Sequence, residues 1–145
     1  MGNGKYHLGN GDFSKYLYEE VDTVEGGGLK AKVLQETNDN GTHHTSPPLF
    51  SHSSDIYMTR DPDTKIPSQA RVYKNHEPNK DFDWGHDHKE HGVVLFPKGV
   101  VHVQTWTKGA DGKWNRSKPR LMTQAEIDKY GALLKAADPN VKFTM

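Results

Sequence analysis

Residues 81 to 106, DFDWGHDHKEHGVVLFPKGVVHVQTW, hold four of the chain's nine histidines, at 86, 88, 91 and 102, among aspartates, tryptophans and β-branched residues. Three explanations of that density compete. Imidazole gives and takes protons near neutral pH, so paired histidines can act as acid and base. It also binds zinc, nickel, copper or iron. Histidines at a hairpin tip can equally be polar residues without chemistry.

The acid–base explanation needs little else. Two imidazoles, with a cation to stabilise developing negative charge, suffice to cleave an RNA phosphodiester, because the 2′-hydroxyl supplies the nucleophile. His86 or His88 would pair with His102, Arg71 and Lys80 would stabilise a phosphorane-like transition state, and Asp83 would orient a histidine. Lys98 is a further electrostatic partner. No cofactor is then expected. The alternative is a divalent transition metal at His86, His88 and His91, in a His-x-His-x-x-His run with Asp83, Asp87 and Glu90 nearby. That run is not HExxH or another spacing with a defined ligand geometry.

These side chains must be placed by strands. KDFDW (80–84) alternates, with Phe82 and Trp84 on one face and Asp81 and Asp83 on the other. If 82–88 stays extended, His86 and His88 share the face of Trp84. GVVLF (92–96) and VVHVQTWT (100–107) read as strands joined by PKG in a hairpin. On the second of them Val101 and Val103 point inward, while His102, Gln104 and Trp106 share the other face. LKAKVLQET (29–37), DIYMTR (55–60) and ARVYKN (70–75) are further strands. FSKYLYEEV (13–21) fits either a short helix or a strand. Breaks fall at GGG (26–28), NDNGTHHTSPP (38–48), DPDTKIPSQ (61–69) and GADGK (109–113). TQAEIDKYGALLKAA (123–137) is an amphipathic helix, with Thr123 and Glu126 as a capping box and Pro139 as the stop. The expectation is α+β, an antiparallel sheet of four to five strands with a C-terminal helix.

Composition narrows the choices. With 145 residues, 32% hydrophobic, and mean hydropathy −0.91, the chain fits one domain with a modest core. Residues 1–12, rich in Gly and Asn, read as a disordered linker, and 13–145 as a single domain. Nineteen basic and nineteen acidic residues advertise neither nucleic acid nor membrane. The absence of cysteine excludes disulfides, thiolate catalysis and thiolate zinc sites. No segment reads as a signal peptide or a membrane span. The remaining histidines, at 7, 43, 44, 52 and 76, read as ordinary polar residues, and the three tryptophans as packing. Lys113, Arg116, Lys118 and Arg120 could grip phosphates, but their segment reads first as a solvated loop.

Residues 70–106, a quarter of the chain, resemble the C-terminal domains of bacterial polymorphic toxins, the modules ending Rhs-type, contact-dependent and prophage-encoded proteins. The matching residues are Arg71 and Tyr73, Asp81 and Asp83, His86 and His88, then Pro97, His102 and Trp106. Gln104 stands where the pattern has a second histidine. The resemblance implies a toxin-like nuclease acting on RNA, with a His and an Arg near the active site. Tyr73, His91, Lys98, Gln104 and Trp106 would then contact substrate. It also implies an immunity protein, an upstream delivery or structural protein, no membrane partner, and action in the cytoplasm of a target cell.

Overall fold

Segments that alternate apolar and polar residues bury one row of side chains and leave the other free. A computed structural model describes residues 5–7, 17–36, 46–51 and 53–145. Among the described residues eleven strands precede one helix: β1 (Lys5–His7), β2 (Leu17–Gly26), β3 (Leu29–Glu36), β4 (Ile56–Arg60), β5 (Pro67–Lys74), β6 (Glu77–Asp83), β7 (His88–Glu90), β8 (Val93–Phe96), β9 (His102–Lys108), β10 (Trp114–Arg116), β11 (Arg120–Leu121) and α1 (Gln124–Ala137). The fold is α+β. Its main sheet runs β1-β2-β3-β4-β5-β6-β9-β10, with β11 also on β9, and β7 and β8 form a separate pair.

This sheet is larger than the four to five strands expected, and it is mixed. β3 and β4 pair in parallel, and the 19 residues that separate them in sequence are enough for the crossover that a parallel pair needs. The segment left open between helix and strand is strand from Leu17 onward, and residues 13–16 lie outside the described residues. Within the expected linker, residues 5–7 form strand β1 against β2. Most of the 38–48 loop also lies outside the described residues.

The hairpin expected across PKG does not form. β8 turns back on β7 through His91 and Gly92, both at positive φ (51° and 78°), while β9 pairs with β6. The backbone groups a 92–107 hairpin would use are taken elsewhere. Gly99 N–H donates to Trp84 O, and Val101 N–H to Lys142 O.

One face of the sheet carries Val33, Met58, Phe82, Trp84, Val101 and Val103, buried with Tyr130, Leu133 and Leu134 of α1. The Phe82 and Tyr130 rings lie 5.0 Å apart. Gly26 lets the helix approach, since a Cβ there would lie 2.6 Å from the Ala132 carbonyl oxygen. The capping box is present: Thr123 Oγ1 accepts from Glu126 N–H, and Glu126 Oε1 accepts from Thr123 N–H. No helix among the described residues is long and apolar enough to cross a membrane.

Glu126 also ties α1 to the sheet. Lys80, on the row of Phe82, reaches it at 2.5 Å, and Arg120 at 2.7 Å. Burial favours the neutral carboxyl, but the hydrogen bonds from Arg120, Lys80 and Thr123 outweigh it and lower its pKa from 4.5 to about 2. The carboxylate's contribution to stability is therefore complete above pH 4.5 and is lost as pH falls toward 2. Urea unfolding across that range should show wild type more stable than Glu126→Gln at pH 6, with the gap closing toward pH 2. A gap independent of pH would contradict this account.

Candidate active site

The opposite face of the sheet is polar where β5, β6 and β9 meet. Because Phe82 and Val103 are claimed by the helix face, their neighbours Asp83 and His102 must point the other way. The register sets Asp83 directly opposite His102, and Gln69 opposite Asp83. Gln69, Asp83 and His102 thus form a row across three strands. One strand step away lies a parallel row of Arg71, Asp81 and Gln104.

After Asp83 the chain does not stay extended. Trp84 remains in the core, and Gly85 turns the chain against β5. A Cβ on Gly85 would lie 2.4 Å from Ser68 Cβ, so the turn requires glycine. The bend returns His86 to Asp83, whose Oδ1 lies 3.2 Å from His86 Nδ1 and 3.3 Å from the Gly85 nitrogen. The expectation that His86 and His88 share the face of Trp84, with Asp83 on the other, fails at this glycine. Strand β7 then carries His88 to the same place, with ring centroids 5.2 Å from His102. The His86 ring is 5.7 Å from His102 and perpendicular to it, and Phe96 of β8 stacks on His102 at 5.5 Å.

The result is a pocket of about 410 Å³ lined by Ser46, Gln69, Asp83, His86, His88, His102, Gln104 and Arg116. One ring nitrogen from each of His86, His88 and His102 falls within 4.8 Å of the others. The two flanking environments differ. The hydrogen bond to Asp83 raises the pKa of His86 despite partial burial. Burial lowers that of His102, and the neighbouring imidazoles add to the effect against the Asp83 charge. His102 is 1% exposed, and its Nδ1 has no hydrogen-bond partner. Three imidazoles facing an open pocket, one of them hydrogen-bonded to a carboxylate, also match the donor set for a divalent transition metal.

The structure thus unites His86, His88, His102, Asp83 and Gln104 of the expected site residues, and it separates the rest. Arg71 is buried under the sheet surface. Its Nε and Nη2 donate to the two oxygens of Asp81 at 2.6 and 3.0 Å, and Nη1 to Pro47 O. Lys80 lies on the helix face with Glu126. Tyr73 is buried with Tyr18, Leu34 and Tyr57, and its hydroxyl donates to Pro48 O. His91 occupies the β7–β8 turn and is exposed, so His102 takes its place in the histidine triad. Lys98 lines a different cavity, beside Trp84 and Asn140, and its N–H donates to Asp87 Oδ1. Trp106 packs beside the pocket, its ring 4.9 Å from the Arg71 guanidinium carbon and 5.5 Å from that of Arg116.

Arg116 and Gln69 line the pocket without being among the expected site residues. Arg116 belongs to the basic run read as a solvated loop, yet β10 pairs it opposite Trp106 and sets it 3.6 Å from Asp81. Its Arg-Trp pairing across strands is invisible in the linear pattern. Gln69 falls in the expected break at 61–69, but β5 begins at Pro67 and carries it. No protein-family model, curated protein or solved structure gives a significant match to this chain.

The two arginines make opposite demands. Truncating Arg71 removes both close hydrogen bonds to the buried Asp81 carboxylate and leaves it only the longer contact to Arg116, so Arg71→Ala should lose up to about 3–5 kcal/mol in urea unfolding. Arg116 is 44% exposed at its side chain, so Arg116→Ala should stay within about 1 kcal/mol of wild type. Equal losses would contradict the assignment of Arg71 to structure and Arg116 to the pocket.

Proposed function

We propose that the pocket cleaves RNA phosphodiesters by histidine acid–base chemistry, as the effector domain of a toxin-like protein. One observation carries the reading: His86 and His102 face a single open pocket with their protonation equilibria displaced in opposite directions. Two titratable groups pushed apart by their surroundings are suited to the roles of acid and base. His102, neutral, removes the proton of the 2′-hydroxyl. The 2′-oxygen attacks phosphorus, the bond to the 5′-oxygen breaks, and protonated His86 supplies that oxygen with its proton. The products are a 2′,3′-cyclic phosphate and a free 5′-hydroxyl. Arg116 is the cation for the charge that develops on the phosphate, the role expected of Arg71 and Lys80. Asp83 orients His86, and His88 contacts substrate or replaces His86 as acid.

The resemblance of residues 70–106 to polymorphic-toxin domains supports the biological setting. In it the domain is delivered by a longer protein, restrained by an immunity protein in the producing cell, and active in the cytoplasm of its target. A second reading has its own observation. The closeness of the three imidazole nitrogens, within 4.8 Å, favours a metal-binding module with a divalent transition ion on His86, His88 and His102.

Incubation with total cellular RNA separates the two. The acid–base reading expects cleavage that survives EDTA and falls by about 10²–10⁴-fold in His102→Ala. Cleavage abolished by EDTA would move the site to the metal reading, and no cleavage by the folded protein would sink the enzyme. The pH dependence is expected to be bell-shaped, with both limbs belonging to the coupled pair. Asp83 favours the charged form of both histidines, His86 most directly. Asp83→Asn should therefore move both limbs to lower pH, the upper limb further. An unmoved upper limb in a pH–rate profile would remove His86 as the acid.

A further inference from the structure

Gln69 presents an unexplained group at the floor of this pocket. It is 9% exposed and lines the cavity, and among the described residues its carboxamide makes no hydrogen bond. Its amide atoms are not among the sealed, unpaired groups beneath the sheet, so they open onto the pocket, free to meet a ligand. Its neighbours in the sheet do not supply a partner. Thr59, opposite on β4, has a buried hydroxyl that is itself unpaired. Asp83, opposite on β6, directs Oδ1 to His86 and Gly85. Gln104, the other carboxamide in the pocket, is already engaged, its Nε2 donating to Ser117 O.

A neutral group with one acceptor and two donors is matched to a neutral polar edge rather than to an anion. Arg116 already provides the charge that an anion would need. Gln69 stands two inter-strand steps from His102, about 10 Å between backbones. That distance is comparable to the reach from the phosphate of a nucleotide to the hydrogen-bonding edge of its base. We infer that Gln69 reads the nucleobase beside the scissile phosphate, its carboxamide pairing with a donor and an acceptor on the base edge. This rests on the reading of the pocket as an RNA-cleaving site and names its specificity determinant.

The test is equilibrium binding of the four 3′-nucleoside monophosphates to the wild-type protein by calorimetry, with ribose 5-phosphate as the ligand without a base. At least one nucleotide should bind about tenfold or more tightly than ribose 5-phosphate. Gln69→Met, close in size but without hydrogen-bonding groups, should abolish that advantage and leave ribose 5-phosphate binding unchanged. Gln69→Glu, an acceptor only, should shift preference toward guanosine 3′-monophosphate, whose N1–H and N2–H groups are both donors. Thermal melting checks that each variant is folded, and either variant alone decides the question. The inference is overturned if all four nucleotides bind no better than ribose 5-phosphate, or if base preference survives unchanged in either folded variant. It is also overturned if ribose 5-phosphate binding falls equally with nucleotide binding. Because binding is read without turnover, base-selective binding by a protein that does not cleave RNA would sink the ribonuclease reading and leave Gln69 a base-reading group in a nucleotide-binding pocket.

Discussion

The site depends on the register of β6 against β9. In an antiparallel pair, a shift by one residue exchanges the two faces of a strand. Phe82 and Val103 are opposite one another and buried beneath α1, so slippage would expose both and bury Asp83 and His102 in an apolar core. The helix therefore holds the Gln69–Asp83–His102 row in place from the far side of the sheet. His102 does not rest on a loop. It is fixed by the strand that carries Val101 and Val103, and only the histidines contributed from 86 and 88 enter after the chain has bent.

Beneath the pocket lies a layer of buried polar groups. Arg71 and Asp81 are 4% and 7% exposed and form a two-pronged ion pair next to the Gln69–Asp83–His102 row. Such a pair gains little net stability over apolar packing, but its loss of one member is costly. Here it fixes geometry. The guanidinium of Arg71 lies over Trp106, Trp106 also meets Arg116, and Arg116 reaches both Asp81 and the pocket. The outermost cation is thus oriented by an aromatic ring and a carboxylate held from below. Asp81 supports the platform, while Asp83, two residues on, faces the imidazoles.

Much of this was legible in the chain because alternation reports which side chains are buried. The opposite faces of Phe82 and Asp83, the inward Val101 and Val103, and the capped helix from Thr123 follow from residue types a few positions apart. The strands that surround them were mostly legible too. What local pattern cannot report is partner choice. GVVLF and VVHVQTWT are both good strands separated by a turn, yet one pairs with β7 and the other with β6. The same blindness misplaced the cations. Arg71 and Lys80 fall near the histidines in sequence, but burial claims the first and the helix claims the second. Arg116 falls 14 residues beyond His102 and returns through β10. The Gly85 bend, which brings His86 back to Asp83, depends on contact with Ser68 on another strand.

In the proposed reaction the two displaced histidines act on an RNA chain that provides its own nucleophile. Chimeric oligonucleotides test that claim most directly. A short RNA cleaved by the protein would be compared, in EDTA, with the same strand carrying a single 2′-deoxynucleotide on the 5′ side of the cleaved bond. The account predicts a 2′,3′-cyclic phosphate from the all-RNA strand and no cleavage at the deoxy position. Cleavage of the deoxy strand at the same bond would contradict it, because the nucleophile would then be water or a protein group that His102 must activate by other means.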